Sequence, residues 1–439
     1  MSLLPYAEYK DSGVDWLGDI PATWSTRRTK LLFEIRKRIS GEDGHDVLSI
    51  TQQGIRVKDI ESNDGQLSMD YSKYQFVHVG DFAMNHMDLL TGYVDISPFF
   101  GVTSPDYRVF AVRDADVCVP RFFLYLFQNG YRQRIFYAFG QGSSQLGRWR
   151  FPTEQFNDFV FPLPPREDQK RLADFLDCET AKIDALIAEQ EKLLALLAEK
   201  RQATISHAVT RGLNPDAPLK DSGIPWLGQV PAHWEVRALK TIVSTPITDG
   251  PHETPEFLDG GVPFVSAEAV SSGEIDFSKI RGHISHENNA RYSQKYKPEL
   301  NDIYMVKSGA TTGVTAIVEG RADFNIWSPL AAIRCNKVVA NPRYILQFLR
   351  SRNFQEGVAL NWSFGTQQNI GMGVLGDLSV ALPPLEEQEQ IAAALKGGLD
   401  GQTALMASAQ SAIPLLKERR SALIAAAVTG QIDVRGLAA

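Results

Sequence analysis

Fourteen residues near the start of this chain return, little changed, 210 positions later. Asp11-Ser12-Gly13-Val14-Asp15-Trp16-Leu17-Gly18-Asp19-Ile20-Pro21-Ala22-Thr23-Trp24 is matched at nine positions by Asp221-Ser222-Gly223-Ile224-Pro225-Trp226-Leu227-Gly228-Gln229-Val230-Pro231-Ala232-His233-Trp234. The two copies hold four of the seven tryptophans. Three weaker echoes follow in the same order. Leu163-Pro164-Pro165-Arg166-Glu167-Asp168-Gln169 pairs with Leu382-Pro383-Pro384-Leu385-Glu386-Glu387-Gln388 at an offset of 219, and Val209-Thr210 with Val428-Thr429 at 219. Gly80-Asp81-Phe82-Ala83-Met84 pairs with Asn301-Asp302-Ile303-Tyr304-Met305 at 221. Offsets that keep their order and drift only by loop-sized amounts point to a tandem duplication. Each half therefore runs from a tryptophan-bearing leader through a variable body to a Leu-Pro-Pro boundary and a last segment of different character.

The bodies mix short β-branched and aromatic runs with Gly, Asn and Asp turns, as in residues 76–81 and 314–318, which reads as α/β or α+β. The last segments are helical. Asp168 to Arg211 contains neither Pro nor Gly and is dominated by Ala, Leu, Glu, Lys and Gln. Leu172, Leu176, Ile183, Leu186, Leu193 and Leu197 fall at the three- and four-residue steps of a coiled-coil seam. Pro164-Pro165 and Gly212 bracket the run as start and stop signals. At ~1.5 Å per residue the helix would reach about 66 Å. The same phase in the second half gives Ile391, Leu395, Leu405, Leu416 and Leu423, with Gly397, Gly398 and Gly401 interrupting the helix and Pro414 kinking it.

Catalytic and cofactor signatures are missing. Gly371-Met372-Gly373-Val374-Leu375-Gly376 fits G-x-G-x-x-G, but a Gly- and Gln-rich loop precedes it and a strand follows, which is the wrong context for a dinucleotide. There is no Walker sequence and no Asp/Asn-Pro-Pro-Tyr/Phe methylation motif. Nor is there an H-E-x-x-H, a Cys/His cluster at ligand spacing or a nucleophile elbow. Three widely spaced cysteines exclude a disulfide scaffold. With no long apolar run and no signal-peptide pattern at the start, the chain is expected in the cytoplasm, away from membranes.

Charge at first argues against nucleic acid: 45 Lys+Arg against 52 Asp+Glu leave −7. Locally the balance reverses. Arg27, Arg28, Lys30, Arg36, Lys37 and Arg38 stand against the single acid Glu34. Arg132, Arg134, Arg148 and Arg150 occur with no acid and sit beside Gln141, Ser143, Ser144 and Gln145. The second half offers Arg350, Arg352, Thr366, Gln367 and Gln368, again with a Gly–Ser/Thr–Gln turn shortly before its Leu-Pro-Pro boundary. Arg and Gln pair bidentately with guanine and adenine edges, and Ser or backbone N–H groups hold phosphates. Lys307, Ser308, Thr311 and Thr312 form a further phosphate-nest-like turn, though not a P-loop.

On its twin D-S-G-x-x-W-L-G-x-x-P-x-x-W leaders and twin L-P-P-x-x-E/D-Q boundaries, the sequence resembles the specificity (S) subunit of type I restriction–modification systems. The turns Met87–Tyr93 and Lys307–Gly313 look like recurrent family turns as well. The resemblance implies two α/β (α+β) target-recognition domains in tandem, residues 1–165 and 214–384. Each is followed by a long spacer helix, 166–213 and then 385–439 with the C-terminal tail. The helices would form an antiparallel coiled coil, giving a pseudo-two-fold monomer. Each domain would read one half of a bipartite double-stranded DNA target, and the helices would set the spacer and dock two methyltransferase (M) subunits, with restriction (R) subunits joining them. The chain itself would be non-catalytic and carry no cofactor; S-adenosylmethionine, ATP and Mg2+ would belong to the partners. Two other classes stay open: a self-contained DNA methyltransferase with diverged motifs, and a scaffold that does not read DNA.

Overall fold

The computed structural model describes residues 4–60, 68, 70–142, 149–364 and 368–436. It divides into two compact units, one of residues 1–191 with 411–439 and one of residues 192–410. Both are α/β: small sheets, mostly antiparallel, packed against helices.

The first unit is organised around a four-stranded sheet in the order Phe33–Ile35, Arg108–Val112, Phe82–Met84, Val94–Ile96. Helix Pro120–Arg132 brings Phe123 and Phe127 onto Phe33 and Phe110, with ring centroids 5.1–5.3 Å apart. Proline at its first turn needs no hydrogen-bond donor there. The second unit repeats the strand order with Thr248–Asp249, Leu330–Ile333, Ile303–Val306 and Thr315–Ile317. The registers correspond too, Met84 facing Val94 and Met305 facing Thr315.

The repeated leaders have a local cause. Asp11 accepts a hydrogen bond from the Gly13 amide (2.8 Å) and Asp221 one from Gly223 (3.0 Å). Gly18 and Gly228 hold φ of 64° and 71°, where a side chain would be strained. The repeated boundaries have a tertiary cause. Gln169 is buried, accepts from the Val119 amide (2.8 Å) and donates to the Val117 and Pro164 carbonyls (3.0 and 2.9 Å). Gln388 does the same with Asn341 (2.8 Å), Val339 (3.0 Å) and Pro383 (2.8 Å). Each staples the start of a long helix to the loop before a body helix.

The long helices run Arg166–Arg211 and Leu385–Val428. The expected break at Gly397, Gly398 and Gly401 does not occur, and the helix continues through Pro414. Ile391, Leu395 and Leu399 are buried in one core, and Ile424, Ala427 and Val428 in the other. At about 1.5–3 kcal/mol per buried aliphatic side chain, that anchoring exceeds the ~1 kcal/mol cost of each exposed glycine. Along the expected seam Leu172, Leu176, Ile183, Leu197, Ile391 and Leu395 are buried, and Leu193, Leu416 and Leu423 half-buried. Leu186 and Leu405 are 46% and 47% exposed, so burial is not continuous along the seam. Among the described residues no helix is long and apolar enough to cross a membrane.

Candidate nucleic-acid interface

Both units place a hairpin on the turn that leaves the same strand of the four-stranded sheet. In the first unit strand Phe82–Met84 runs into a turn held by Asp88, whose carboxylate accepts from the Leu90 amide (2.9 Å) and whose carbonyl accepts from Gly92 (2.8 Å). A Cβ on Gly92 would lie 2.1 Å from that carbonyl, so only glycine fits. Gln141 and Arg150 bridge through paired backbone bonds of 2.8 and 2.9 Å. The hairpin they close sits on the turn through the Leu89 amide to the Trp149 carbonyl and the Phe151 amide to the His86 carbonyl, both 2.9 Å.

In the second unit strand Ile303–Val306 runs into Lys307–Gly313. The Ile370 amide bonds to the Lys307 carbonyl (2.9 Å), the Gly309 amide to the Gln368 carbonyl (3.1 Å), and Ser308 bridges Asn369. Thr312 Oγ1 donates to the Gly309 carbonyl (2.7 Å). Thr311 closes the turn with its carbonyl, which takes the Val314 amide (3.1 Å).

Of the expected site residues, the structure thus brings together Gln141 and Arg150 in one unit, and Lys307, Ser308, Thr311, Thr312 and Gln368 in the other. Ser143, Ser144, Gln145, Arg148, Thr366 and Gln367 lie outside the described residues. The remaining arginines lie elsewhere. Arg132 donates to the Tyr93 hydroxyl (2.8 Å) in a groove beside Asp177 and Asp184 of the long helix. Arg134 is exposed, with φ 55°. Arg350 is turned inward onto the Gly273 and Thr315 carbonyls. Arg352 begins a helix and bonds through its amide to Ser206 (2.8 Å).

The basic run of residues 27–38 is less free than its sequence suggests. Asp158 pairs with Lys30 (2.8 Å) and Arg28 (3.5 Å), while buried Asp81 pairs with Arg36 (3.5 Å) and Arg38. Both acids are remote in sequence, so local counting misses them.

What local counting also misses is positive charge beneath the hairpins. Arg108 is buried, stacks 4.4 Å from the Phe156 ring centre and donates to the Phe151 carbonyl (3.0 Å). Burial lowers its pKa to about 10. Burial also depresses His86, helped by the nearby charges of Arg108 and Arg150, to about 3, so the ring is neutral. The one sequence signal for this pair is an arginine opening an otherwise apolar strand. In the second unit Lys295 (2.7 Å), Lys307 (3.1 Å) and His252 (2.9 Å) converge on Asp249. Burial alone would raise that carboxyl, but the two ammonium groups outweigh it and hold its pKa low. Cations exceed acids there, which favours an anion at the adjoining turn.

The model of the type I restriction modification DNA specificity domain matches residues 231–414, covering the second hairpin and its turn. Among curated proteins, the EcoBI specificity subunit of Escherichia coli is 26% identical over 278 residues, 60% of this chain and 58% of that protein. The chain is thus similar to type I specificity subunits across these spans. The MjaVIII specificity subunit of Methanocaldococcus jannaschii is 26% identical over 295 residues, 64% of each chain. The matches thus span about 60% of these relatives' length. Two solved structures share the specificity-subunit fold. One, from a type I R-M system studied for complex assembly and conformational transition, covers 94% of this chain and 99% of its own at TM-score 0.64 and 18% identity. The HsdS subunit from Thermoanaerobacter tengcongensis covers 94% and 98% at TM-score 0.52 and 16% identity.

Proposed function

We propose that this chain is the sequence-reading subunit of a type I restriction–modification complex, in which each unit reads one half of a bipartite DNA target with the loop carried by its hairpin. The observation that carries the reading is the recurrence of the same hairpin-on-turn arrangement, over a cationic base, in both units. The sequence between the paired residues of each hairpin supplies Gln, Ser or Thr and, in the first unit, Arg, the side-chain types that pair with base edges, and the turn's amides and cations suit phosphates.

The chain is read as two copies of one plan, and the long helices as an antiparallel pair that spaces the copies and docks methyltransferase subunits. Within the first unit, Arg435 acts on Asp168 and, further along the helix, Arg420 bonds to Asp184 (2.8 and 3.1 Å). As one partner advances along the chain the other retreats, which is the sense of an antiparallel pair. The second unit has the counterpart 219 residues away, Arg201 to Thr403 (2.8 Å). Half-sites about one DNA turn (~34–36 Å) apart lie within the reach of such a rod. Adenine methylation from S-adenosylmethionine and ATP- and Mg2+-dependent cleavage fall to the methyltransferase and restriction partners. A chromosomal target places the complex in the cytoplasm.

The test is to express the chain with a methyltransferase subunit and map methylated adenines across the genome. A bipartite motif is expected, and Gln145→Ala or Arg148→Ala should relax one half of it. Methylation without sequence dependence, or methyl transfer by the purified chain alone, would overturn the proposal.

A further inference from the structure

Beside the hairpin of the first unit lies a cavity of about 750 Å³. Arg150, which closes the hairpin, stands at its rim, and Asn85, at the start of the turn beneath, lines it. Three tyrosines form much of the wall: Tyr71, Tyr74 and Tyr107. The Tyr71 and Tyr74 rings lie 4.9 Å apart at 72°, so a face and an edge are presented together. Burial raises the pKa of Tyr74 and of Tyr107, so these phenols are neutral hydroxyls able to donate. The wall is preformed. Buried Gln75 ties down the loop bearing Tyr107 by donating to the Ser104 carbonyl (2.9 Å) and the Tyr107 carbonyl (2.7 Å).

Aromatic faces, an amide with both donor and acceptor, and a cation at the rim suit a flat heteroaromatic ring with polar edges and a phosphate attached through its sugar. The volume lies in the range of sites for such ligands, roughly 300–1,000 Å³. Asn85 Oδ1 accepts from the Met87 amide (3.3 Å) and the Tyr71 hydroxyl from the Ser68 amide (3.3 Å), so Asn85 offers its NH2 and Tyr71 its O–H to the polar edge of a ligand. We propose that this cavity binds a nucleobase with its sugar phosphate, presented by bound DNA as an extrahelical nucleotide or by solution as a mononucleotide. Access from DNA rests on the reading above, that the adjoining hairpin lies against the duplex.

The test uses the full chain with its methyltransferase partner and the target found by methylation mapping. 2-Aminopurine is placed in turn at each base of the first half-site except the methylated adenine. Deoxymononucleotides are titrated separately onto the full chain by calorimetry, and target binding is followed by anisotropy. A rise in 2-aminopurine fluorescence at one position is expected, kept in Tyr74→Phe, which retains the ring. It should fall roughly tenfold in Tyr74→Leu. Asn85→Ala, which leaves all three rings in place, should change which base is accepted and guards against a folding defect in Tyr74→Leu. Saturable mononucleotide binding with the same variant pattern and no fluorescence rise would support the cavity and assign its ligand to solution. Intact target-specific binding with neither signal would overturn this proposal alone. Loss of target-specific binding in the unmodified complex, with no mononucleotide bound, would overturn both.

Discussion

Replacing Gln388 by methionine tests why the Leu-Pro-Pro-x-x-Glu/Asp-Gln boundary is written twice. Methionine has nearly the same length and volume, so the substitution leaves almost no cavity and isolates the polar loss. Three backbone groups lose their partner in a buried setting: the Asn341 amide (2.8 Å) and the Val339 and Pro383 carbonyls (3.0 and 2.8 Å). A buried group left unpaired costs about 1–3 kcal/mol. Three such groups, with some relaxation of the loop, give about 3–5 kcal/mol. For a unit of residues 192–410 that corresponds to a melting shift of roughly 6–20 °C. Urea denaturation followed by tryptophan fluorescence would measure it, because Trp234 is buried in the same core. Hydrogen exchange should rise first in residues 339–350, the loop and helix that the side chain holds. Gln169→Met should cost a similar amount in the other unit and leave residues 339–350 protected. Gln388→Glu adds a sign test. Only the protonated carboxyl can donate to a carbonyl there, so its folded pKa is raised. That variant should therefore be relatively stronger below the unfolded value of about 4.3 and weaken as pH rises through its folded value. A cost below about 1 kcal/mol for both methionine variants would refute the staple.

Three further outcomes follow from the geometry. Gly212 and Gly430 end the long helices at φ of 77° and 78°; a Cβ would meet the Trp234 ring at 3.3 Å in the first case but Pro21 at 2.4 Å and Trp24 at 3.1 Å in the second. Gly212→Ala should cost about 1–2 kcal/mol for the left-handed backbone and Gly430→Ala a further 1–3 for the clash, and equal denaturation midpoints would contradict this. His86 is held neutral to about pH 3, whereas the unfolded ring takes up its proton near 6.5. The first unit should therefore weaken as pH falls from about 6.5 toward 3, by about 2 kcal/mol at pH 5, and His86→Gln should flatten that slope in urea midpoints taken against pH. Inserting one helical turn at Ala195 should change the spacer length between the methylated half-sites, and an unchanged spacer would refute the ruler role of the long helix.

Much of the plan was legible because its causes are local or repeated. The Asp-Ser-Gly leader encodes an Asx turn and left-handed glycines within eight residues, and a long run without Pro or Gly encodes a helix. Propensity misjudged the second helix, since Gly397, Gly398, Gly401 and Pro414 weigh locally while the buried residues at its two ends act through tertiary packing. Charge misled for the same reason. Arg36 and Arg38 look free beside Glu34 alone, yet Asp81 folds onto them from forty-odd residues away. Arg350 looks like a DNA contact and instead holds two carbonyls.

The sequence by itself determined that the Trp-bearing leader and the Leu-Pro-Pro boundary each occur twice, and that a helix of about 45 residues follows each boundary. Periodicity, turn chemistry and repetition are properties of neighbouring residues, and neighbours are what a sequence displays. Only the tertiary structure decided that each Gln-bearing hairpin rests on the turn after the same strand, over Arg108 and His86 in one unit and Lys295 and Lys307 in the other. Those partners come from separate strands and loops, and folding alone brings them together, where Coulomb interactions and desolvation act.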